Sequence, residues 1–154
     1  MAISNNHHAK VFISLNTKYS KSGISVDIDL ESLGKKLDLA QNALDAQVWN
    51  DVQKYMPMDS GNLIQQTNIL NQATHGEVYL YPPELDYGHY MYEGILYVDP
   101  VTGSSYASEG TKKVISDPVK NLTYSNPMAQ AHWGEVAINN HKDQWVQVVK
   151  NAFT

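Results

Sequence analysis

The sequence predicts an α+β fold: a small, mainly antiparallel sheet packed with a long helix in the N-terminal half and a second helix at the C-terminus. Three observations predict it. Apolar residues alternate through Ile24, Val26, Ile28 and Leu30. Apolar residues then recur at steps of three and four from Leu33 to Tyr55, and a comparable stripe runs through the last twenty or so positions. The chain has 154 residues, enough for one domain with its own core. We read residues 1–9 as a flexible polar tip and residues 10–154 as that domain.

The elements follow in order. Val11, Ile13 and Leu15 alternate with Phe12, Ser14 and Asn16. Within the polar link Thr17–Gly23, Lys18–Gly23 carries Ser and Gly turn chemistry, so the runs on either side of it are expected to pair as a hairpin. Leu33, Leu37, Ala40, Leu44, Val48, Val52 and Tyr55 lie on one face of a helix. Asp29 suits its N-cap, and Glu31 sits where the helix dipole favours an acid. Pro57 forces extended geometry on Met56, so the helix is expected to stop near Tyr55 and to serve as the element against which a sheet packs.

Asp59, Ser60 and Gly61 then form a turn: the two side chains can bond following amides, and Gly61 accepts positive φ. Leu63–Thr67 reads as a short helical turn, and Glu77–Tyr81 as a strand closed by Pro82-Pro83. Tyr87–Val98 is expected to begin as a helical turn and finish as a strand. Asp99–Lys113 is a polar loop. Lys113–Ser116 and Leu122–Ser125 suggest a hairpin across Asp117-Pro118. Asn126-Pro127 offers an N-cap followed by proline at the first helical position. The last helix carries Trp133, Ala137, Trp145, Val148, Val149 and Ala152 on one face, with a kink expected at Asn139-Asn140-His141.

Composition excludes several functions. The chain has no cysteine, which removes disulfide frameworks and thiolate metal sites. A net charge of −5, with no arginine, opposes bulk electrostatic binding of nucleic acid. No apolar run reaches the ~18–20 residues of a membrane-spanning helix. Met1–Lys10 has no apolar leader, which suggests a soluble intracellular setting. Phosphate-cradle, dinucleotide, serine-elbow and zinc-protease signatures are absent. His132, Glu135 and His141 form the best metal candidate, since the first two lie one turn apart on the last helix. Glu84 and Asp86 follow a proline turn and read as solvated surface. No cofactor is expected.

Tyr79, Tyr81, Tyr87, Tyr90, Tyr92 and Tyr97 crowd one stretch, and no Lys or Arg occurs from Gly76 to Thr111. Base stacking needs interleaved cations, so these rings fit a protein interface or an ordinary sheet face better than a nucleic-acid platform.

Motif order brings a resemblance. The long helix leads into Tyr55-Met56-Pro57-Met58-Asp59-Ser60-Gly61-Asn62-Leu63, which resembles the Pro-x-Asp-Ser/Thr-Gly-x-Leu signature of tailed-phage minor capsid and tail-completion proteins. Tyr90-Met91-Tyr92-Glu93-Gly94-Ile95 is similar to that family's tyrosine-rich element. Leu122-Thr123-Tyr124-Ser125 is similar to a short strand there, and Pro127-Met128-Ala129 with His132-Trp133 to the opening of its last helix. The likeness covers about Ile24 to Phe153. Met58 and Asn62 replace residues that are often small or hydrophobic, and the N-terminal run is extra.

The resemblance implies an α+β structural virion protein, not an enzyme. It would join copies, six or twelve, into a ring at the head–tail connector, neck or tail top, beside other connector and tail proteins. Its location would be the virion, and the host cytoplasm during assembly, with no membrane. DNA would pass through the lumen without sequence-specific binding, and an acidic wall would keep phosphates from sticking. Pro57, Asp59, Ser60 and Gly61 would then be a structural turn from helix to sheet. The alternative is a metal-dependent hydrolase using His132, Glu135 and His141.

Overall fold

The computed structural model describes residues 17–21, 24–28 and 30–154. The tip at 1–9, the run Val11–Asn16 and the Asp29 cap lie outside them. The fold is α+β, with four α-helices and two two-stranded antiparallel sheets among the described residues.

Strands β1 (Thr17–Lys21) and β2 (Ile24–Ile28) pair from Thr17 opposite Ile28 to Lys21 opposite Ile24. The expected hairpin is therefore displaced: its first strand lies in the segment read as a link, and only Ser22 and Gly23 separate the partners. Hairpin partners are most often joined by two residues, a shorter spacing than the seven-residue link expected.

Helix α1 (Leu30–Val52) continues as a 3-10 turn over Gln53–Tyr55 and ends at extended Met56 before buried Pro57, where the sequence stops it. Its main packing partner is α4 (Trp133–Asn151), which runs antiparallel to it. The register is set by Tyr55 against His141 and Asp51 against Trp145. Val52, Tyr55 and Met56 from α1 and its end meet Trp133 and Ala137 from α4, with Leu63 and Trp49 completing the core. Burying side chains of this size contributes about 2–3 kcal/mol each, and these contacts hold the two helices together.

Gly61, at φ 75°, turns the chain into α2 (Asn62–Ala73), so the Asp59-Ser60-Gly61 turn joins helix to helix and not helix to sheet. This helix is far longer than the single turn expected. Its interior is rich in Gln and Asn, which mask the helical period, while Leu63 and Thr67 face the core. It lies antiparallel along α1: Trp49 Nε1 donates to Asn68 (2.8 Å), and farther along the Gly76 amide donates to Asp45 (2.7 Å).

Residues 77–81 form no strand. Tyr79 pairs with a side chain in place of a neighbouring strand: its amide donates to Asn71 Oδ1 (2.7 Å), and its carbonyl accepts from Asn71 Nδ2 (3.1 Å). The alternating sequence reflects extended backbone without a ladder.

Helix α3 (Asp86–Glu93) and strand β3 (Tyr97–Val98) agree with the helix-then-strand reading. Gly94, at φ 70°, ends α3, and a Cβ there would overlap Ala131 Cβ. Strand β4 (Val114–Ile115) pairs with β3, Tyr97 opposite Ile115 and Val98 opposite Val114, while Asn121 bridges to Ile95. Lys113–Ser116 and Leu122–Ser125 thus do not pair with each other. Both flank residues 94–98, and the second forms no strand: the Leu122 amide bonds Gly94 O at 2.8 Å, and the Ser116 amide bonds Leu96 O at 3.0 Å.

Asn126 does not cap α4. Its Nδ2 donates to the carbonyls of Lys54 and Met56, both at 3.1 Å, and the Gln130 amide donates to Tyr55 O at 3.1 Å. The segment closes the orphan carbonyls at the end of α1, a need that any helix terminus has. Helix α4 starts at Trp133, after His132 in left-handed conformation (φ 52°). It passes through Asn139-Asn140-His141 as one helix, because His141 belongs to the stripe: positions 133, 137, 141 and 145 share a face.

Candidate functional site

Two constellations stand out: an aromatic cluster around α3, and a polar knot between α1 and α4. In the first, Tyr92 is the hub. Its ring meets Trp133 edge-on at 4.8 Å and His132 at 5.1 Å, and Tyr81 lies 5.4 Å away. Tyr90 and Tyr97 pack at 4.6 Å, with His89 5.6 Å from Tyr90. Lys113 Nζ sits 5.1 Å above the Tyr90 ring, a cation–π contact. Helix α3 produces the cluster by placing His89, Tyr90, Tyr92 and Glu93 within two turns. Gly88 permits it, because a Cβ there would come within 2.8 Å of Tyr81 Cβ.

The six tyrosines singled out by sequence do not share one exposed face. Tyr87 is 51% exposed, whereas Tyr79, Tyr81, Tyr90, Tyr92 and Tyr97 are half-buried. Burial, then hydrogen bonding to the Glu135 carboxylate, pushes the Tyr92 phenol well above its ordinary pKa. Burial and the nearby Glu93 charge raise Tyr81. Burial and the Asp59 charge raise Tyr87.

Beside the cluster lies an open groove of about 550 Å³. Its floor is apolar, from Val78, Leu80, Pro83 and Leu85, and Tyr79, Tyr81 and His89 complete its walls. Three carboxylates flank it. Glu77 accepts from the Tyr79 hydroxyl (3.3 Å), exposed Glu84 lies in sequence between the floor residues Pro83 and Leu85, and Glu93 is 4.0 Å from His89 Nδ1.

In the polar knot, Asp51 is 1% exposed and accepts from Lys54 Nζ (2.6 Å), Trp145 Nε1 (2.8 Å) and Gln47 Nε2 (2.9 Å). His141 Nδ1 lies 3.8 Å from Asp51, and its Nε2 shares a 3.0 Å hydrogen bond with the Tyr55 hydroxyl. Burial alone would raise the Asp51 carboxyl. Hydrogen bonds from Gln47, Lys54 and Trp145, with the His141 charge, outweigh it and lower the pKa from 3.8 to about 2. Sequence reasoning missed Asp51 because a lone acid on a long helix looks like an ordinary solvated position. The Trp three turns along α4's own stripe was the available signal, since a buried indole N–H needs an acceptor.

The proposed metal ligands have separate partners. Glu135 accepts a short hydrogen bond from Tyr92, His141 bonds Tyr55, and the His132 ring packs on Tyr92. Among the described residues no three His, Asp or Glu side chains converge as metal ligands. In the turn, Pro57 is buried while Asp59 and Ser60 are exposed, and Ser60 Oγ accepts from the Asn62 amide at 3.4 Å. The loop after β3 is folded by Asp99, whose carboxylate accepts from the amides of Val101 (2.8 Å) and Thr102 (2.9 Å). Those bonds lower the Asp99 pKa.

A different surface lies at the start of α1, where large apolar side chains are exposed. The expected apolar stripe is covered, wholly or in part, only from Ala40 onward; Leu33 and Leu37 are 44% and 51% exposed, beside Leu39 at 65%. By the α1–α4 register, α4 ends level with about residue 45, and Gly76 after α2 meets Gln41 and Asp45. Both flanking helices therefore stop at the same level, and the first ten or so residues of α1 project past them.

No helix of the described residues is long and apolar enough to cross a membrane. The chain matches no protein-family model, no curated protein and no solved structure.

Proposed function

We propose that the chain is a structural virion protein of a tailed bacteriophage, acting at the head–tail connector or neck, or in tail completion, by joining copies into a ring. The observation that carries this reading is the projecting half of α1. Its Leu33 and Leu37 continue the very stripe that α4 covers farther along, yet they face outward. Apolar side chains presented in a row on a rigid helix favour association, because burying them removes that area from water. The polar groups of the interior, by contrast, are engaged within the fold: Asp51, His141, Asn71 and Asn126 each tie one element to another. The motif order from the Pro57–Gly61 turn through Tyr90–Gly94 to the C-terminal helix supports the choice of assembly. A net charge of −5 suits a ring through which DNA slides.

The test is complementation of phage lacking the gene, with the labelled protein located by electron microscopy. Wild type is expected at the head–tail junction of mature particles. The variant carrying Leu33→Glu and Leu37→Glu, both at exposed positions, is expected to keep its circular dichroism and fail to incorporate. Absence of the wild-type protein from mature particles overturns the reading, as does normal assembly by the double variant.

A further inference from the structure

We propose that the groove beside α3 is a docking site for an extended, lysine-bearing segment of a partner protein. The inference does not depend on the ring or phage reading; it rests on the shape, lining and charge of the groove. The volume of about 550 Å³ suits a few side chains of an extended peptide. The apolar floor of Val78, Leu80, Pro83 and Leu85 offers burial to every second residue of such a segment, as the strand period requires. The intervening residues would reach the rim, and there the chemistry is one-sided.

Glu77, Glu84 and Glu93 flank the groove, and no Lys or Arg is among its lining residues; Lys113 sits over Tyr90, outside that lining. A partner with carboxylates at these positions would be repelled, and a neutral one would leave the rim charges uncompensated, so cationic residues fit. Ring faces add to the preference. Tyr79 and Tyr81 line the groove, and an ammonium over a tyrosine ring is attracted by its quadrupole. The fold already contains one such contact in the same cluster, Lys113 over Tyr90, a ring that shares the neighbour His89 with Tyr81. A partner lysine would repeat on Tyr81 or Tyr79 what Lys113 does on Tyr90. Glu93 strengthens this position, because its charge already acts on Tyr81.

The experiment is a heteronuclear NMR titration of the full-length, isotope-labelled chain with synthetic peptides of about nine residues. Four are compared: alternating Lys and Val, alternating Lys and Ser, alternating Glu and Val, and alternating Ser and Val. The Lys–Val peptide is expected to shift amides of residues 77–93 and to bind most tightly. The Lys–Ser peptide is expected to bind more weakly at the same place. The Glu–Val and Ser–Val peptides are expected to leave that region unmoved. Charge reversal at the exposed rim, Glu77→Lys with Glu84→Lys, is expected to preserve the spectrum elsewhere and weaken the Lys–Val peptide by about tenfold or more. Binding should also fall as salt rises from about 50 to about 300 mM.

Three results overturn the proposal: no shift with any peptide, shifts spread over the acidic surface without focus on the groove, or equal binding by the reversed-charge variant. If the Glu–Val peptide binds as well as the Lys–Val peptide, the groove is an apolar site without charge selectivity, and the proposal fails on that ground as well.

Discussion

Replacing Asp51 by asparagine keeps the shape of the side chain and removes its charge from the centre of the α1–α4 contact. In the native protein one carboxylate accepts three hydrogen bonds, from Gln47, Lys54 and Trp145, and the carboxyl is held at about 2 against an ordinary 3.8. At about 1.4 kcal/mol per pKa unit that difference corresponds to a little over 2 kcal/mol. Lys54 is 48% exposed at its side chain, so solvent screens part of the attraction, and about 1–2 kcal/mol is the fairer figure.

The direction with pH follows from the depression. The unfolded chain takes up its proton first as pH falls, so the stabilisation is complete above about pH 5 and is lost as pH drops toward 2. The amide of the Asp51→Asn variant would also turn its own N–H groups toward donors, leaving at least one of them unpaired, for a total loss near 2–3 kcal/mol at about pH 7. Urea unfolding of both proteins at about pH 7, 5, 3 and 2 measures this. The gap between wild type and Asp51→Asn is expected to be full at about pH 7 and 5, and to narrow by about 1–2 kcal/mol by about pH 2. A gap that stays constant with pH refutes the electrostatic account; no gap at neutral pH refutes the knot as a stabilising contact altogether.

Variants at three further residues address the backbone. Gly94→Ala combines φ 70° with overlap at Ala131 and is expected to lose about 2–4 kcal/mol in thermal unfolding, whereas Gly61→Ala, at φ 75° but in open space, should lose only about 1 kcal/mol. Asn126→Ala strips the Lys54 and Met56 carbonyls of their donor and is expected to lower stability by about 1–2 kcal/mol in urea. Asn126→Asp, which retains the acceptor for the Met128 amide but not the donor, should lose a similar amount; if it unfolds like wild type, the capping account of this side chain is wrong.

The helices were legible where period and punctuation agreed. The stripe ending at Tyr55 before Pro57, and the run through Trp133, Ala137 and Trp145, mark α1 and α4 because burial on one face demands that spacing. Alternation misled at Glu77–Tyr81, since period two reports extended backbone and says nothing of a neighbouring strand; Asn71 supplies the pairing from α2. Asn126-Pro127 carries the local chemistry of a helix start, yet its amide is used to finish a helix some seventy residues earlier, a long-range demand invisible to a local reading. Leu33 and Leu37 fit the buried stripe in sequence, but where it becomes uncovered depends on the lengths of α2 and α4. The site residues divide in the same way. The crowding of tyrosines was visible, whereas the groove beside them depends on residues 78–85 turning back over α3, and Asp51 on the register of two helices.

That register has a mechanical consequence. An isolated helix of ten or so residues is marginal in water, since nucleating the first turn is the unfavourable step. The N-terminal turns of α1 are spared that step, for they grow out of turns already clamped by Trp49, Val52 and Tyr55. A load on its leucines is thus carried along one continuous helix into the packed turns at the centre of the molecule.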